Sequence, residues 1–279
     1  MKIIECPRDA MQGIKAFIPT EKKIAYLNSL LKVGFDTLDF GSFVSPKAIP
    51  QLRDTAEVLE NLVDSPTKLL AIIANQRGAD EASQYGTINY LGYPFSVSEV
   101  FQKRNTNKTI DQSLILVDNI QNTCTKTNKK LVVYLSMAFG NPYGERWHED
   151  IVSQWSEQLT KMGVNIIALS DTIGVSNSQN ISRLFKHLIK EHPEIEWGAH
   201  LHTSKNSWKE KVQSAFESGC RRFDTTIRGL GGCPMAKDDL VGNMPTEKFI
   251  SFCNEQKINH SIDSLAFESA YNKAIELLK

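Results

Sequence analysis

Residues 152–172, VSQWSEQLTKMGVNIIALSDT, hold one complete folding unit. Val152, Trp155, Leu159 and Met162 recur at three- and four-residue steps, the stripe of a helix that buries one face. Gly163 follows, the residue type that most readily takes the left-handed conformation ending a helix. Residues 165–169 are then a β-rich apolar run too short for a helix, and the run stops at Ser170-Asp171-Thr172.

The same order of events occurs on either side of this stretch. Thr20 is read as the N-cap of a helix whose apolar face is Ile24, Leu27, Leu30 and Leu31, with Gly34 ending it and a strand at 35–40 running into Gly41-Ser42. Val212, Ala215 and Phe216 form a third stripe, followed by Gly219 and a strand at 222–224 that ends at Thr225-Thr226. Short β-rich runs at 3–5, 69–73, 88–91, 131–135 and 196–200 bring the strand candidates to eight. Eight strands alternating with helical pattern define the α/β class and point to a (β/α)8 barrel of the TIM type, with a doubly wound open sheet as the competing arrangement. The polar stretch 103–130 predicts a helix over 110–120 with loops on either side. Helical spacing at Leu265, Ala266, Ala270 and Ala274 places a C-terminal helical segment over one end or side of the barrel. The whole chain, 1–279, is read as a single domain.

Composition narrows the function classes. Lys and Arg number 32 and Asp and Glu also 32, so no net charge attracts nucleic acid or an anionic membrane. No apolar run approaches the roughly 20 residues of a membrane helix. The N-terminal apolar run is too brief for a signal peptide, and the chain starts at its first strand, which favours a bacterial cytoplasmic protein over a trimmed organellar one. The five cysteines lack CxxC spacing, which argues for reduced thiols and against a disulfide framework or zinc ribbon. Gly229-Leu230-Gly231-Gly232 follows a strand without matching the dinucleotide pattern GxGxxG.

In a (β/α)8 barrel the chemistry sits where strands end and βα loops begin. Those positions are polar here: Arg8 and Asp9, Asp39 and Ser42, Asp171 and Thr172, His200 and His202, and, after the last strand, Cys233 and Asn243. Residues i and i+2 of a strand share a face, so His200 and His202 point together at the barrel mouth and can chelate a metal. Two imidazoles with a carboxylate and an amide suit Mg, Mn, Zn or Co alike. Read alone, Arg8-Asp9 is as easily a solvated loop pair, and Asp39 a strand-end carboxylate bonded to a loop amide. The glycines before Cys233 permit positive φ and close backbone approach, as expected of a loop that can close over a ligand. Cys124, Cys220 and Cys253 are read as buried and unreactive.

Along nearly its whole length the chain resembles hydroxymethylglutaryl-CoA lyases, metal-dependent barrels that share an Arg-Asp pair after the first strand. The shared elements are Pro7-Arg8-Asp9 with Gln12 and Lys15, Ser42-Phe43-Val44-Ser45-Pro46-Lys47, Asp171-Thr172-Ile173-Gly174-Val175, His200-Leu201-His202, Gly229-Leu230-Gly231-Gly232-Cys233-Pro234, and Gly242-Asn243. The resemblance implies a divalent cation, Mg or Mn, held by Asp9, His200, His202 and Asn243. It implies catalytic roles for Arg8, Asp39, Cys233 and His200, with Arg8 stabilising an enolate, Cys233 supplying a proton and Asp39 supporting the metal. It places Arg8, Gln12, Ser42, Asn105 and Thr172 at the substrate, and it implies an acyl-CoA substrate and a homodimer. The chain departs from the family pattern at Asp39, where Glu is usual, at Thr203, where Asp is usual, and at Arg228, which either meets a second carboxylate or pairs at the surface. The implied reaction is retro-Claisen cleavage of 3-hydroxy-3-methylglutaryl-CoA to acetyl-CoA and acetoacetate. The alternatives are cleavage of another 3-hydroxyacyl-CoA, the reverse-sense condensation of acetyl-CoA with a 2-oxo acid, and a non-catalytic barrel that binds acyl-CoA.

Overall fold

The computed structural model of the chain describes residues 1–232 and 241–278. Eight strands, β1 (Lys2–Glu5), β2 (Thr37–Ser42), β3 (Lys68–Ile72), β4 (Ile88–Ser96), β5 (Lys130–Ser136), β6 (Ile166–Asp171), β7 (Glu196–Thr203) and β8 (Arg222–Thr225), pair in parallel in sequence order. Pairing of β8 with β1 closes the ring, which excludes the open sheet. A ninth strand, β9 (Gly242–Asn243), adds to the mouth by antiparallel pairing with β7, so that His202 faces Asn243.

Between the strands run helices α1 (Pro7–Gln12), α2 (Thr20–Leu30), α3 (Thr55–Glu60), α4 (Gln76–Ser83), α5 (Glu99–Thr106), α6 (Ile110–Lys126), α7 (Glu149–Lys161), α8 (Ser178–Glu191) and α9 (Trp208–Glu217). The chain then adds α10 (Thr246–Glu255) and α11 (Ser264–Leu277), the latter packed on α2 at the side of the barrel. Gly34, Gly163 and Gly219 all have positive φ, as expected of residues that end helices. The stretch 103–130 carries more helix than its weak periodicity predicts: α5 ends inside it, and a capping box of Thr109 and Gln112 opens α6. Thr20 is not an N-cap. Pro19 takes that place, and the Thr20 hydroxyl donates instead to Asp54 Oδ2 at 2.8 Å.

Alternation along the strands separates two cores. Leu70, Ile72, Tyr90, Val132, Tyr134 and Ile166 fill the barrel interior, while the intervening residues pack outward under the helices. On β7 and β8 the inward positions are Gly198, His200 and His202, and Arg222 and Asp224. A side chain at Gly198 would meet Arg222 Cδ at 3.1 Å, so this glycine makes room for an arginine inside the barrel.

Candidate active site

The C-terminal mouth of the barrel opens into a cavity of about 370 Å³. One wall is polar, with Arg8, Asp9, Gln12, Thr172, His200 and His202; another is apolar, with Val44, Ile49, Ile72, Pro94 and Phe101. Asn105, Arg104, Ser136, Ser170 and Gly232 also reach it.

Arg8 projects from the short helix α1, which Pro7 starts directly after β1. Its guanidinium is spread over three partners. Nε and Nη2 donate to Asp39 Oδ2 at 3.0 and 2.6 Å, while Nη1 donates to Asp9 Oδ1 at 3.1 Å and to Gln12 Oε1 at 2.9 Å. Asp39 is fully buried and does not line the cavity. Burial raises its carboxyl to about 6, a rise that the adjoining guanidinium opposes. Asp39 thus stands behind Arg8 and outside the cavity lining, and a carboxylate with no water around it is a strong anchor for the guanidinium.

Asp9 and Asn243 meet directly, Asn243 Nδ2 donating to Asp9 Oδ2 at 2.6 Å. Burial works against the Asp9 charge, yet Arg8, His200 and the Asn243 bond together hold its carboxyl below the usual range. The glycine run makes this contact possible. A side chain at Gly231, whose φ is +84°, would stand 2.6 Å from the Asp9 carbonyl oxygen and 2.9 Å from Asn243 Nδ2. Cys233, the expected proton donor, lies outside the described residues.

The two imidazoles face the same space, with ring centroids 5.6 Å apart. His200 Nδ1 lies 3.1 Å from Asp224 Oδ2; with the carboxylate accepting, Nδ1 carries the proton and Nε2 is presented to the mouth. Burial lowers the His200 pKa, but the Asp224 bond outweighs it and raises the group above its ordinary value. His202 is pushed down to about 4 by burial and by His200, so it is neutral at physiological pH. Its Nδ1 is buried with no hydrogen-bond partner among the described residues.

Among the described residues no three His, Cys, Asp or Glu side chains form a ready-made ion cage. The donor set nonetheless fits a divalent cation: an ionised carboxylate, a neutral imidazole with an orphaned nitrogen, a second imidazole oriented by a carboxylate, and an amide. Asp9, His200, His202 and Asn243 lie at one mouth.

The other expected residues divide. Gln12, Asn105 and Thr172 line the cavity. Ser42 does not: its hydroxyl turns back to accept Val44 N at 3.2 Å and so shapes the β2 loop. Arg228 is exposed and away from the cavity, its Nη1 directed at the Leu278 carbonyl at 3.4 Å. Cys124, Cys220 and Cys253 are buried, with thiols pushed up to about 12, 12 and 11 by desolvation. Asp224 was absent from the expected site; the signal for it was an acidic residue inside an apolar strand, at the inward position of β8.

Fold and site together define a (β/α)8 barrel whose C-terminal mouth gathers a buried guanidinium, a carboxylate and two imidazoles. A family model described as HMGL-like matches residues 2–273, and the chain belongs to that family of carbon–carbon lyases. It is 32% identical over 257 residues to the hydroxymethylglutaryl-CoA lyase YngG of Bacillus subtilis, covering 92% of this chain and 85% of that one. It is 29% identical over 273 residues to a 3-hydroxy-3-isohexenylglutaryl-CoA/hydroxymethylglutaryl-CoA lyase of Pseudomonas aeruginosa, covering 98% and 90%. A solved HMG-CoA lyase from Acinetobacter baumannii, in complex with coenzyme A and 3-methylmalate, superposes with a TM-score of 0.92 at 32% identity, covering 100% of this chain and 91% of that one.

Proposed function

We propose that the protein cleaves 3-hydroxy-3-methylglutaryl-CoA to acetyl-CoA and acetoacetate. The observation that carries this reading is the Arg8 guanidinium, locked by Asp39 and aimed into a mouth that also holds Asp9 and both imidazoles. Cleavage of the C2–C3 bond removes the proton from the 3-hydroxyl and leaves the electron pair on the thioester as an enolate. Arg8 is the cation in place to stabilise the enolate oxygen, and its immobility means that little reorganisation is needed as charge develops. Asp9, His200, His202 and Asn243 would hold a divalent cation, Mg or Mn, which when bound polarises the substrate hydroxyl. His200, whose Nδ1 is held by Asp224, is assigned a part in moving the hydroxyl proton when its Nε2 is not bound to the cation. Cys233 is assigned the delivery of a proton to C2 of the enolate, on the strength of its family motif. Gln12, Asn105 and Thr172 are assigned to orienting the acyl group.

The Acinetobacter complex with coenzyme A supports an acyl-CoA as the partner of the mouth. Bacterial relatives are among the matches, which supports a bacterial cytoplasmic site of action; no helix among the described residues is long and apolar enough to cross a membrane. The family resemblance adds a homodimer.

A second reading is favoured by the apolar wall of Val44, Ile49, Ile72, Pro94 and Phe101: a 3-hydroxyacyl-CoA with a larger branch at C3. Incubation of the purified protein with Mg or Mn and 3-hydroxy-3-methylglutaryl-CoA, following acetyl-CoA and acetoacetate, tests the first. Cleavage that Cys233→Ala and His202→Ala both abolish supports it. No cleavage of this thioester, with turnover of a longer-branched one, transfers the reading to the second.

A further inference from the structure

Lys211 stands on α9, outside the barrel wall, and does not line the mouth. Its side chain is nevertheless buried, and its ammonium donates to three acceptors: Asp171 Oδ2 at 2.7 Å, the Gly174 carbonyl at 3.0 Å and the His202 carbonyl at 2.9 Å. An ammonium has three donors, so all are used. Asp171 is satisfied in turn by the backbone N–H of Ser176, at 3.1 Å to Oδ1, and by the Ser176 hydroxyl at 2.5 Å to Oδ2.

The three acceptors belong to two different parts of the mouth. Asp171 and Gly174 bracket the turn that carries Thr172, whose hydroxyl accepts Met137 N at 2.8 Å and which lines the cavity. The His202 carbonyl belongs to the residue whose imidazole is oriented toward the proposed cation. A pair of apolar residues of similar volume would serve the core as well as a buried ion pair does, or better. What such a pair lacks is the ability to bind two backbone carbonyls, one on a strand and one on a turn, at once. We propose that Lys211 is a positioning residue, which clamps the end of β7 to the turn after β6 and so sets the direction of the His202 imidazole relative to Thr172. The inference rests on the metal-dependent lyase reading of the site.

The test compares the full chain with Lys211→Met and with the double variant Lys211→Met/Asp171→Asn, in which no buried carboxylate is left unpaired. Mn²⁺ affinity by calorimetry, melting temperature, and KM and kcat for the acyl-CoA are measured on each. The expected result is a loss of tenfold or more in Mn²⁺ affinity for Lys211→Met, the range seen when the supports of metal ligands are removed. In the double variant the melting temperature recovers while the Mn²⁺ affinity does not. Parental Mn²⁺ affinity in the double variant would overturn the proposal, because Lys211 would then be only the counter-ion of Asp171. Failure of both variants to fold would also overturn it, placing the role of Lys211 in the core. If the parental chain itself binds no Mn²⁺ and cleaves no acyl-CoA, the lyase reading fails; unchanged affinity in Lys211→Met alongside an active parent sinks the clamp alone.

Discussion

Two arginines are buried at opposite ends of this barrel, and their surroundings differ. Arg8, at the mouth, gives four of its five N–H donors to Asp39, Asp9 and Gln12 and keeps one on Nη2. Arg222, at the floor, gives one bond to Glu196 at 3.2 Å, while its Nε and Nη2 have no partner among the described residues. Glu196 also takes Lys2 at 2.6 Å, so the floor is an ion cluster open to solvent on one side. At the mouth geometry is specified atom by atom, as a reacting oxyanion requires. At the floor a cation pairs with the half-buried Glu196, offsets the buried Asp224 and fills the space that Gly198 vacates.

If that contrast is right, the two sites fail in different ways. Arg8→Met should lower kcat by about 10²–10³-fold, the cost of removing a preorganised donor to an oxyanion, while circular dichroism shows the fold retained. A loss of less than about tenfold would break the comparison at the mouth. Arg222→Met should lower the unfolding free energy by about 3 kcal/mol, since Asp224 and Glu196 lose a buried counter-charge, yet leave KM for the acyl-CoA within about twofold; urea melts and initial rates check both.

Glu5, the last residue of β1, is a buried acid that carries no charge. Burial raises the Glu5 carboxyl to about 8, although the Thr246 hydroxyl and the Ile227 N–H both bond to it. The folded state thus holds a proton that the unfolded chain releases from the ordinary carboxyl value of 4.5 upward, so stability present below that pH is lost as pH rises toward 8. Unfolding free energy should fall by at most about 1.4 kcal/mol per pH unit over this window, and Glu5→Gln should flatten the slope. Equilibrium melts at pH 6, 7 and 8 that show no difference between the two proteins would remove Glu5 from the account. The smallest expected effect sharpens the mouth itself. Asp224→Asn keeps the shape but loses the charge behind His200 Nδ1, and should cost roughly tenfold in Mn²⁺ affinity or in turnover.

Much of this was legible from residue order. The glycine-ended helices and short apolar runs place all eight barrel strands within a few residues of where they lie, because periodicity and helix ends are local properties. His200-Leu201-His202 showed its shared face for the same reason. The two-residue β9 escaped notice, since it exists only by pairing with β7. Asp39 and Ser42 were read as site residues because both end a strand, yet one turns behind Arg8 and the other caps its own loop. Lys211 and Asp224 were overlooked because their partners lie 40 and 24 residues away along the chain.

By itself the sequence determined the α/β class with its eight alternating strands, the strand ends that carry polar residues, and the types of side chain found there. Its motifs also determined the family. Closure of the ring was decided by the pairing of β8 with β1. Tertiary structure alone decided which carboxylate faces the cavity and which is spent holding Arg8, which imidazole nitrogen is free, and how a lysine outside the wall reaches the His202 carbonyl. The physical reason is one of range: backbone conformation follows from neighbouring residues, while charge state and hydrogen-bond direction depend on groups that only folding brings within 3 Å of each other.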